Sequence, residues 1–414
     1  MDKKRTTWQK VRNIFQNIHL WIGLSTGIIV VIICLSGTLY VYNTELTEMA
    51  SPHLYKVEQE AKGVRMTPDA AIKKVKTQAE GEVIAIHIPE DLNRTYQINV
   101  KKEGDKSRNG TTYYLNPYTG DILGNSLTKS GMQEFMSTLF SLHRWLLFDK
   151  IETSIFSSIT NQELGRKITG TATILFTLGC ITGMIIWFPK RIKNWKKGLK
   201  IKATGNWKRT NHDLHNTLAF YSVFFLLIMG LTGPQWSFTW YKDGLHKTLG
   251  TYKKPEVKNS STNKEILANI DSDLTKLDEI NLASLLKLAD TELLYKGDYK
   301  ISLPAKGESL IEINKTKTGF FAPAAGDKLS VDVSDQKIVK KEIFKEKPFN
   351  ERIAGSIKAL HMGYVYGGAS KLIYFITCLI ATSLPITGTM IWWNKKKKKK
   401  PSMVGVKKEK AMVA

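Results

Sequence analysis

A charge-free apolar stretch that opens with a histidine occurs twice in this chain. The first copy runs from His19-Leu-Trp-Ile-Gly to Leu35-Ser-Gly37, the second from His215-Asn-Thr-Leu-Ala to Leu231-Thr-Gly233, and in each the histidine precedes the glycine by 18 residues. A second kind of segment is also duplicated. It begins Leu142-His-Arg-Trp and Leu360-His-Met-Gly and ends Ile181-Thr-Gly-Met-Ile-Ile-Trp-Phe188 and Ile386-Thr-Gly-Thr-Met-Ile-Trp-Trp393. Spanning a bilayer core takes about 20 apolar residues as a helix. Four stretches meet that length: roughly 20–42, 168–188, 216–241 and 372–394, none containing Asp, Glu, Lys or Arg. The chain therefore reads as two copies of one two-helix unit, with a histidine at the edge of each membrane segment.

Charge then sets topology. The formal net charge is +24, which by itself would fit a nucleic-acid binder. Its distribution argues otherwise. Five Lys/Arg precede His19, nine lie between Lys190 and Arg209, and nine follow Trp393. The basic excess flanks the apolar stretches on one side, the positive-inside pattern. We therefore expect a multi-pass protein of the cytoplasmic (inner) membrane with both termini in the cytoplasm, contacting lipid and no nucleic acid. The run Lys395 to Lys400 reads first as a topology anchor, with contact to anionic lipid as a secondary use. The first apolar stretch is too long for a signal-peptide core and no small-residue cleavage site follows it, so it reads as a retained helix. Cys34, Cys180 and Cys378 fall inside predicted spans and no CxxC occurs. These thiols read as packing residues, with no disulfide framework and no iron–sulfur or thioredoxin-type chemistry.

The expected organisation is a tail (1–18), a first span (19–42), an outer domain (43–130), an amphipathic outer segment (131–165) and a second span (166–188). A basic cytoplasmic loop (189–212) leads to a third span (213–241), a second outer domain (242–350), an outer segment (351–370), a fourth span (371–394) and a basic tail (395–414). In the first outer domain Thr67-Pro-Asp-Ala reads as a helix start with Thr67 as N-cap and Pro68 at the first helical position. Val83 to Ile88, Thr95 to Val100 and Thr111 to Leu115 read as strands, and Asn116-Pro-Tyr-Thr-Gly120 as a turn. The second outer domain repeats this plan more loosely. Each is expected to pack one helix on its own short antiparallel sheet.

The histidines carry the chemistry. Neutral imidazoles on neighbouring helices of a bundle can hold a haem iron from both sides. Topology pairs His19 with His215 on the inner side and His143 with His361 on the outer side, which gives two haem b sites. Single histidines at helix ends more often cap or face lipid headgroups. Four at repeat-equivalent positions favour the functional reading, since ionisable groups at membrane depth are usually functional. His212 is an alternative inner ligand, three residues before His215 and nearly on the same face. His53, His87 and His246 have no repeat partner and read as surface or sheet residues. Arg144 and Arg166 near the outer pair, and Arg12 and Arg209 near the inner one, are candidates to pair with haem propionates.

With these residues in view, the chain resembles the PepSY-associated transmembrane helix family of iron-regulated membrane proteins, which includes ferric-siderophore reductases. The resemblance rests on the histidine-led helices, Leu142-His-Arg-Trp, the end from Thr182 to Arg191, and Tyr114-Leu-Asn-Pro-Tyr-Thr-Gly-Asp-Ile-Leu123. It implies a mainly α membrane protein: a four-helix transmembrane bundle from a duplicated two-helix unit, with two small α+β PepSY-like extracytoplasmic domains. It also implies b-type haem and an oxidoreductase passing electrons across the membrane to a ferric siderophore. Fused flavin and nicotinamide modules occur in some relatives. No GxGxxG motif is present here, so the electron donor would be a separate cytoplasmic reductase or a quinol. The second outer domain departs from the PepSY pattern by lacking the Pro-Tyr-Thr-Gly turn. Two other readings compete. One is a membrane-anchored binding or regulatory protein acting on an envelope protease or peptide without redox activity. The other is a transporter, disfavoured because the spans hold no carboxylate or lysine.

Overall fold

The computed structural model describes residues 7–58, 63–105, 107–189, 192–202, 206–254, 281–304, 309–332 and 335–398. Lys190 and Arg191, residues 255–280 of the second outer domain and the basic tail beyond Lys398 lie outside the described residues. In chain order the helices are α1 (Thr7–Tyr40), α2 (Asn43–Ala50), α3 (Pro52–Tyr55), α4 (Pro68–Lys76), α5 (Gly131–Trp145), α6 (Asn161–Trp187), α7 (Trp207–Thr232), α8 (Thr239–Thr248), α9 (Leu282–Glu292), α10 (Phe349–Met362) and α11 (Gly367–Lys398). The strands are β1 (Glu82–Ile88), β2 (Tyr96–Lys101), β3 (Thr111–Leu115), β4 (Ile122–Asn125), β5 (Gly297–Ser302), β6 (Leu310–Lys317), β7 (Asp327–Asp332) and β8 (Ile338–Glu342). The described chain divides into a helical unit and a sheet unit.

Among the described residues four helices are long and apolar enough to cross a membrane: Thr7–Tyr40, Asn161–Trp187, Trp207–Trp236 and Gly367–Lys397. They are the four expected spans, but longer. α1 begins at Thr7, so His19 lies well inside the helix rather than at its edge, and His215 lies two turns into α7. Local signals explain several starts. Thr160 accepts a hydrogen bond from the Glu163 N–H at the start of α6, and the Asn206 side chain caps α7. The four spans form a bundle with small side chains at the contacts. Gly27 of α1 faces Pro385 of α11, where an added Cβ would meet the proline Cβ at 3.3 Å, and Gly230 of α7 faces Thr177 of α6. Such contacts replace the hydrophobic drive that helices lack in lipid.

In the sheet unit the structure departs from the expectation of two separate small domains. All eight strands form one antiparallel sheet in the order β4-β3-β2-β1-β5-β6-β7-β8. The two four-stranded halves join where β1 pairs with β5, from Ala85 opposite Ser302 to Ile88 opposite Tyr299. Left apart, each half would expose one of these strands as an unpaired edge. The core is shared as well: Val75 of α4 and Leu285 of α9 pack with Ile86, Ile98, Ile301, Ile313 and Leu329 from both halves. Strand alternation puts these residues on one face. As expected, Thr67 caps α4, accepting from the Ala70 N–H, with Pro68 in the first turn. The next residue reaches across the halves, where the Asp69 carboxylate accepts from the N–H groups of Leu282 and Ala283 at 2.9 and 3.1 Å. A carboxylate at a helix N-terminus is favourable on both hydrogen-bond and dipole grounds. The signature turn closes as read, with Gly120 at φ +80° donating its N–H to Asn116 O.

Candidate functional site

Three of the four repeat-placed histidines are held in the same way inside the helical unit. The His19 Nδ1–H of α1 donates to the Gly179 carbonyl at 3.0 Å and lies 3.2 Å from Thr182 Oγ1, both on α6. The His215 Nδ1–H of α7 donates to Thr387 Oγ1 at 2.9 Å, with Leu384 O as its backbone partner on α11. The His143 Nδ1–H of α5 donates to the Ile33 carbonyl at 2.8 Å, with Ser36 Oγ at 3.4 Å, on α1.

In every case the neighbouring helix presents a carbonyl at one position, a hydroxyl three residues on and a glycine four residues on. The glycines are Gly183, Gly388 and Gly37. A Cβ on them would meet Cε1 of His19 at 3.2 Å, of His215 at 3.2 Å and of His143 at 3.0 Å. Glycine suits these positions because any Cβ there would crowd the imidazole edge.

The hydroxyls also settle a tautomer. Thr182 Oγ1 donates to Leu178 O, Thr387 Oγ1 to Ser383 O and Ser36 Oγ to Ile32 O, one turn back in their own helices. Having spent its proton, each hydroxyl can only accept from the imidazole. Nδ1 therefore carries the hydrogen, and Nε2 holds the lone pair that a metal ion takes.

His19 and His215 come together. Their ring centroids are 6.3 Å apart and their planes 78° to one another. Two imidazole nitrogens each about 2 Å from one metal ion put their ring centres roughly 6 Å apart. Both rings line a cavity of about 540 Å³, within the usual size of cofactor pockets. Its walls are mainly apolar side chains with Gly23, Gly27, Gly183 and Gly388, and polar and basic side chains including Arg12, Gln16, Asn216 and Lys395 also line it. At Gly23, one turn beyond His19, an added Cβ would meet nothing within 4 Å. The glycine borders open space rather than a packed neighbour. The donor set, the glycine-lined walls and the spacing fit a flat metalloporphyrin. Among the described residues no cluster of three or more His, Cys, Asp or Glu forms a site for a bare metal ion.

His212 lies on the same helix but at its exposed edge, where both ring nitrogens are within 3.2 Å of Asn216 Nδ2. It lines the cavity without facing His19 as His215 does. Arg209 is engaged by the Asp213 carboxylate at 2.9 Å and does not line the cavity, whereas Arg12 does.

His143 sits at the level of Ile33, which α1 places about 21 Å from His19 along its axis. The end of α5 is fixed there because Gly165 of α6 meets the Trp145 carbonyl, with room for no Cβ, and Thr169 Oγ1 donates to Arg144 O. Arg144 donates to the Trp236 carbonyl at 3.1 Å, and Arg166 stands 3.9 Å from Glu163 with its Nε buried and unpartnered. His361 lies half-buried in the last turn of α10, in the sheet unit. His246 bonds Thr251, and His87 lies on β1, where burial pushes its pKa down. The cysteines are free thiols, with Cys378 Sγ 3.6 Å from Met229 Sδ.

The Ser/Thr-Gly seats are what the reading of the sequence missed. The pairs Ser36-Gly37, Thr182-Gly183, Thr232-Gly233 and Thr387-Gly388 were visible as the ends of the repeats, but nothing in one dimension says that they face histidines.

A bundle of four apolar helices with paired imidazoles over a glycine-lined cavity defines a multi-pass integral membrane protein. Residues 16–395 match the PepSY-associated TM region, and the chain belongs to that family. No curated protein matches the sequence.

Proposed function

We propose that this protein is a haem b-containing oxidoreductase of the cytoplasmic membrane that passes electrons across the bilayer to a ferric siderophore or similar ferric complex. The observation that carries the reading is the His19–His215 pair, 6.3 Å between centroids across a glycine-lined cavity. When bound, a haem iron supplies one-electron chemistry by cycling between its ferric and ferrous states. The chain's residues do the rest. His19 and His215 offer neutral Nε2 atoms from opposite walls. Thr182, Thr387 and the carbonyls of α6 and α11 fix ring orientation. The mainly apolar lining would lower the polarity around a bound iron and so help set its potential.

His143, seated in the same way nearer the other end of α1, is proposed as a ligand of a second haem. Its counterpart in the sequence repeat is His361. Electrons would enter from a separate reductase or quinol on the basic, cytoplasmic side and leave on the outer side. The reduced iron is then released because a siderophore holds Fe(II) more weakly than Fe(III).

The test is an absorption spectrum of the purified full-length protein with a pyridine haemochrome assay. Low-spin Soret and α bands corresponding to about two haems per chain are the expected result, with one haem lost in His215→Ala and none in His212→Ala. Colourless protein, with biological activity untouched by His19→Ala, would transfer the function to the regulatory reading, in which the helices only anchor a binding domain.

A further inference from the structure

Cations gather at one end of the cavity without a counter-charge. Arg12 lies seven residues before His19 on α1, and Lys395 seven residues after Gly388 on α11. Seven residues are two helical turns, about 10 Å along the axis and nearly back to the same face. Both side chains line the cavity on the face that carries the histidine or its glycine seat. No Asp or Glu lines it. The Arg12 guanidinium donates one Nη2–H to the Ile186 carbonyl at 2.9 Å, but its Nε is buried with no hydrogen-bond partner. Trp187, one turn beyond Gly183 on α6, also lines the cavity and has a buried, unpartnered Nε1. A buried donor without an acceptor costs free energy, and more so when it is charged. Gln16, Asn17 and Asn216 add amides among the lining residues, while the rest of the lining is mainly apolar.

The geometry points to Arg12 and Lys395, with the Trp187 indole N–H, as a clamp for the paired carboxylates of a dicarboxylate porphyrin, whose carboxylate edge faces the basic end of the bundle. This assignment rests on the reading that a metalloporphyrin occupies the cavity between His19 and His215. It follows from charge and donor placement that the histidines alone do not explain. A neutral quinone-like ligand could accept from the Arg12 Nε–H but would bring no negative charge to Arg12 and Lys395. A dicarboxylate porphyrin gives the two cations two anions, and charge-assisted bonds of this kind are the strong ones.

The experiment uses full-length protein, prepared haem-free in detergent, and titrates it with haem and with haem dimethyl ester, in which both carboxylates are blocked. Binding is read from the Soret band. Wild type is expected to bind haem at least about tenfold more tightly than the diester. In Arg12→Gln/Lys395→Gln the haem affinity should fall to near that of the diester, while the diester affinity stays put. Wild type alone gives the first comparison, so the test survives a variant that folds poorly. Equal affinity for the two porphyrins, each with a His215-dependent band, overturns the clamp and leaves the haem reading standing. If neither porphyrin gives a band that His215→Ala removes, the haem reading fails and the clamp fails with it.

Discussion

The helical unit and the sheet unit each contain parts that resemble one another, yet the likeness runs to different depths. In the bundle the repeat survives atom by atom. Carbonyl, hydroxyl and glycine recur at the same spacing against His19, His215 and His143. In the sheet only the plan survives, one helix and four strands per half. The first half closes on the Asn116–Gly120 turn and a buried Tyr55–Tyr114 hydroxyl contact at 3.2 Å. The second has instead a buried Lys315, whose ammonium donates to Asp290 at 2.7 Å and to Leu293 O at 2.8 Å, between the rings of Tyr295 and Tyr299. A packed core accepts many side-chain solutions of similar volume. A ring that must present one nitrogen in one direction accepts very few. The difference points to the bundle as the part with a geometric task.

The largest expected effect breaks the bundle side of this comparison. Gly23→Leu places a side chain where the protein itself offers no clash. It should fold and insert normally yet lose the haem of the His19–His215 cavity, about half of the full complement, measured as the ratio of Soret to protein absorbance. Gly388→Val should act differently, because its Cβ displaces the His215 ring: any residual band should lose low-spin character. If Gly23→Leu keeps a full complement of haem, the cavity is not the cofactor site.

Next in size is the sheet's buried cation. Asp290→Ala leaves the buried Lys315 ammonium with Leu293 O but without its carboxylate and should destabilise the sheet unit by about 1.5 kcal/mol. Lys315→Met, which removes the charge and keeps the volume, should cost markedly less. Denaturant titration followed by far-UV dichroism ranks the two, and the reverse order would deny the ion pair its role.

A smaller change sharpens the seats. Thr387→Val removes the hydroxyl that accepts from His215 and should weaken its hold by about 1 kcal/mol. Thr182→Val should do less, because its hydroxyl stands farther from its imidazole, 3.2 Å against 2.9 Å for Thr387. Redox titration of the bound haem in the two variants makes the comparison, and equal shifts would place the control in the carbonyls instead.

The smallest effect concerns acid stability. Hydrogen bonds from Lys340 and then Lys347 hold the Glu342 carboxyl down to about 2, below its ordinary 4.5. A depressed folded-state pKa contributes stability that is complete above the ordinary value and is lost as pH falls toward 2. Glu342→Gln should therefore flatten the stability profile of the sheet unit between pH 4.5 and 2 and leave its shape above pH 6 unchanged.

Much of this architecture was legible in one dimension. Period and length marked the spans, because a helix in lipid must be apolar for its whole crossing and little else satisfies its backbone. Thr67-Pro68 announced α4, and alternation announced the strands. Helix ends were harder to read. α1 extends back to Thr7 through residues whose polarity looks like a tail, because a helix runs on past the bilayer without any change in apolar pattern. The merging of the two outer halves was hidden as well. The residues of β1 and β5 read as strands alone, and no local rule says that one edge pairs with another more than two hundred residues away.

The sequence by itself determined that this is a membrane protein with histidines at matching positions of similar segments, since hydropathy and spacing are linear properties. Only the tertiary structure decided that His215 rather than His212 faces His19, that Ser/Thr-Gly pairs seat the rings, and that Arg12 rather than Arg209 borders the cavity. Those choices depend on which face of one helix meets which turn of another. That is fixed by packing at distances of 3 Å, a scale at which neighbours in sequence point in different directions.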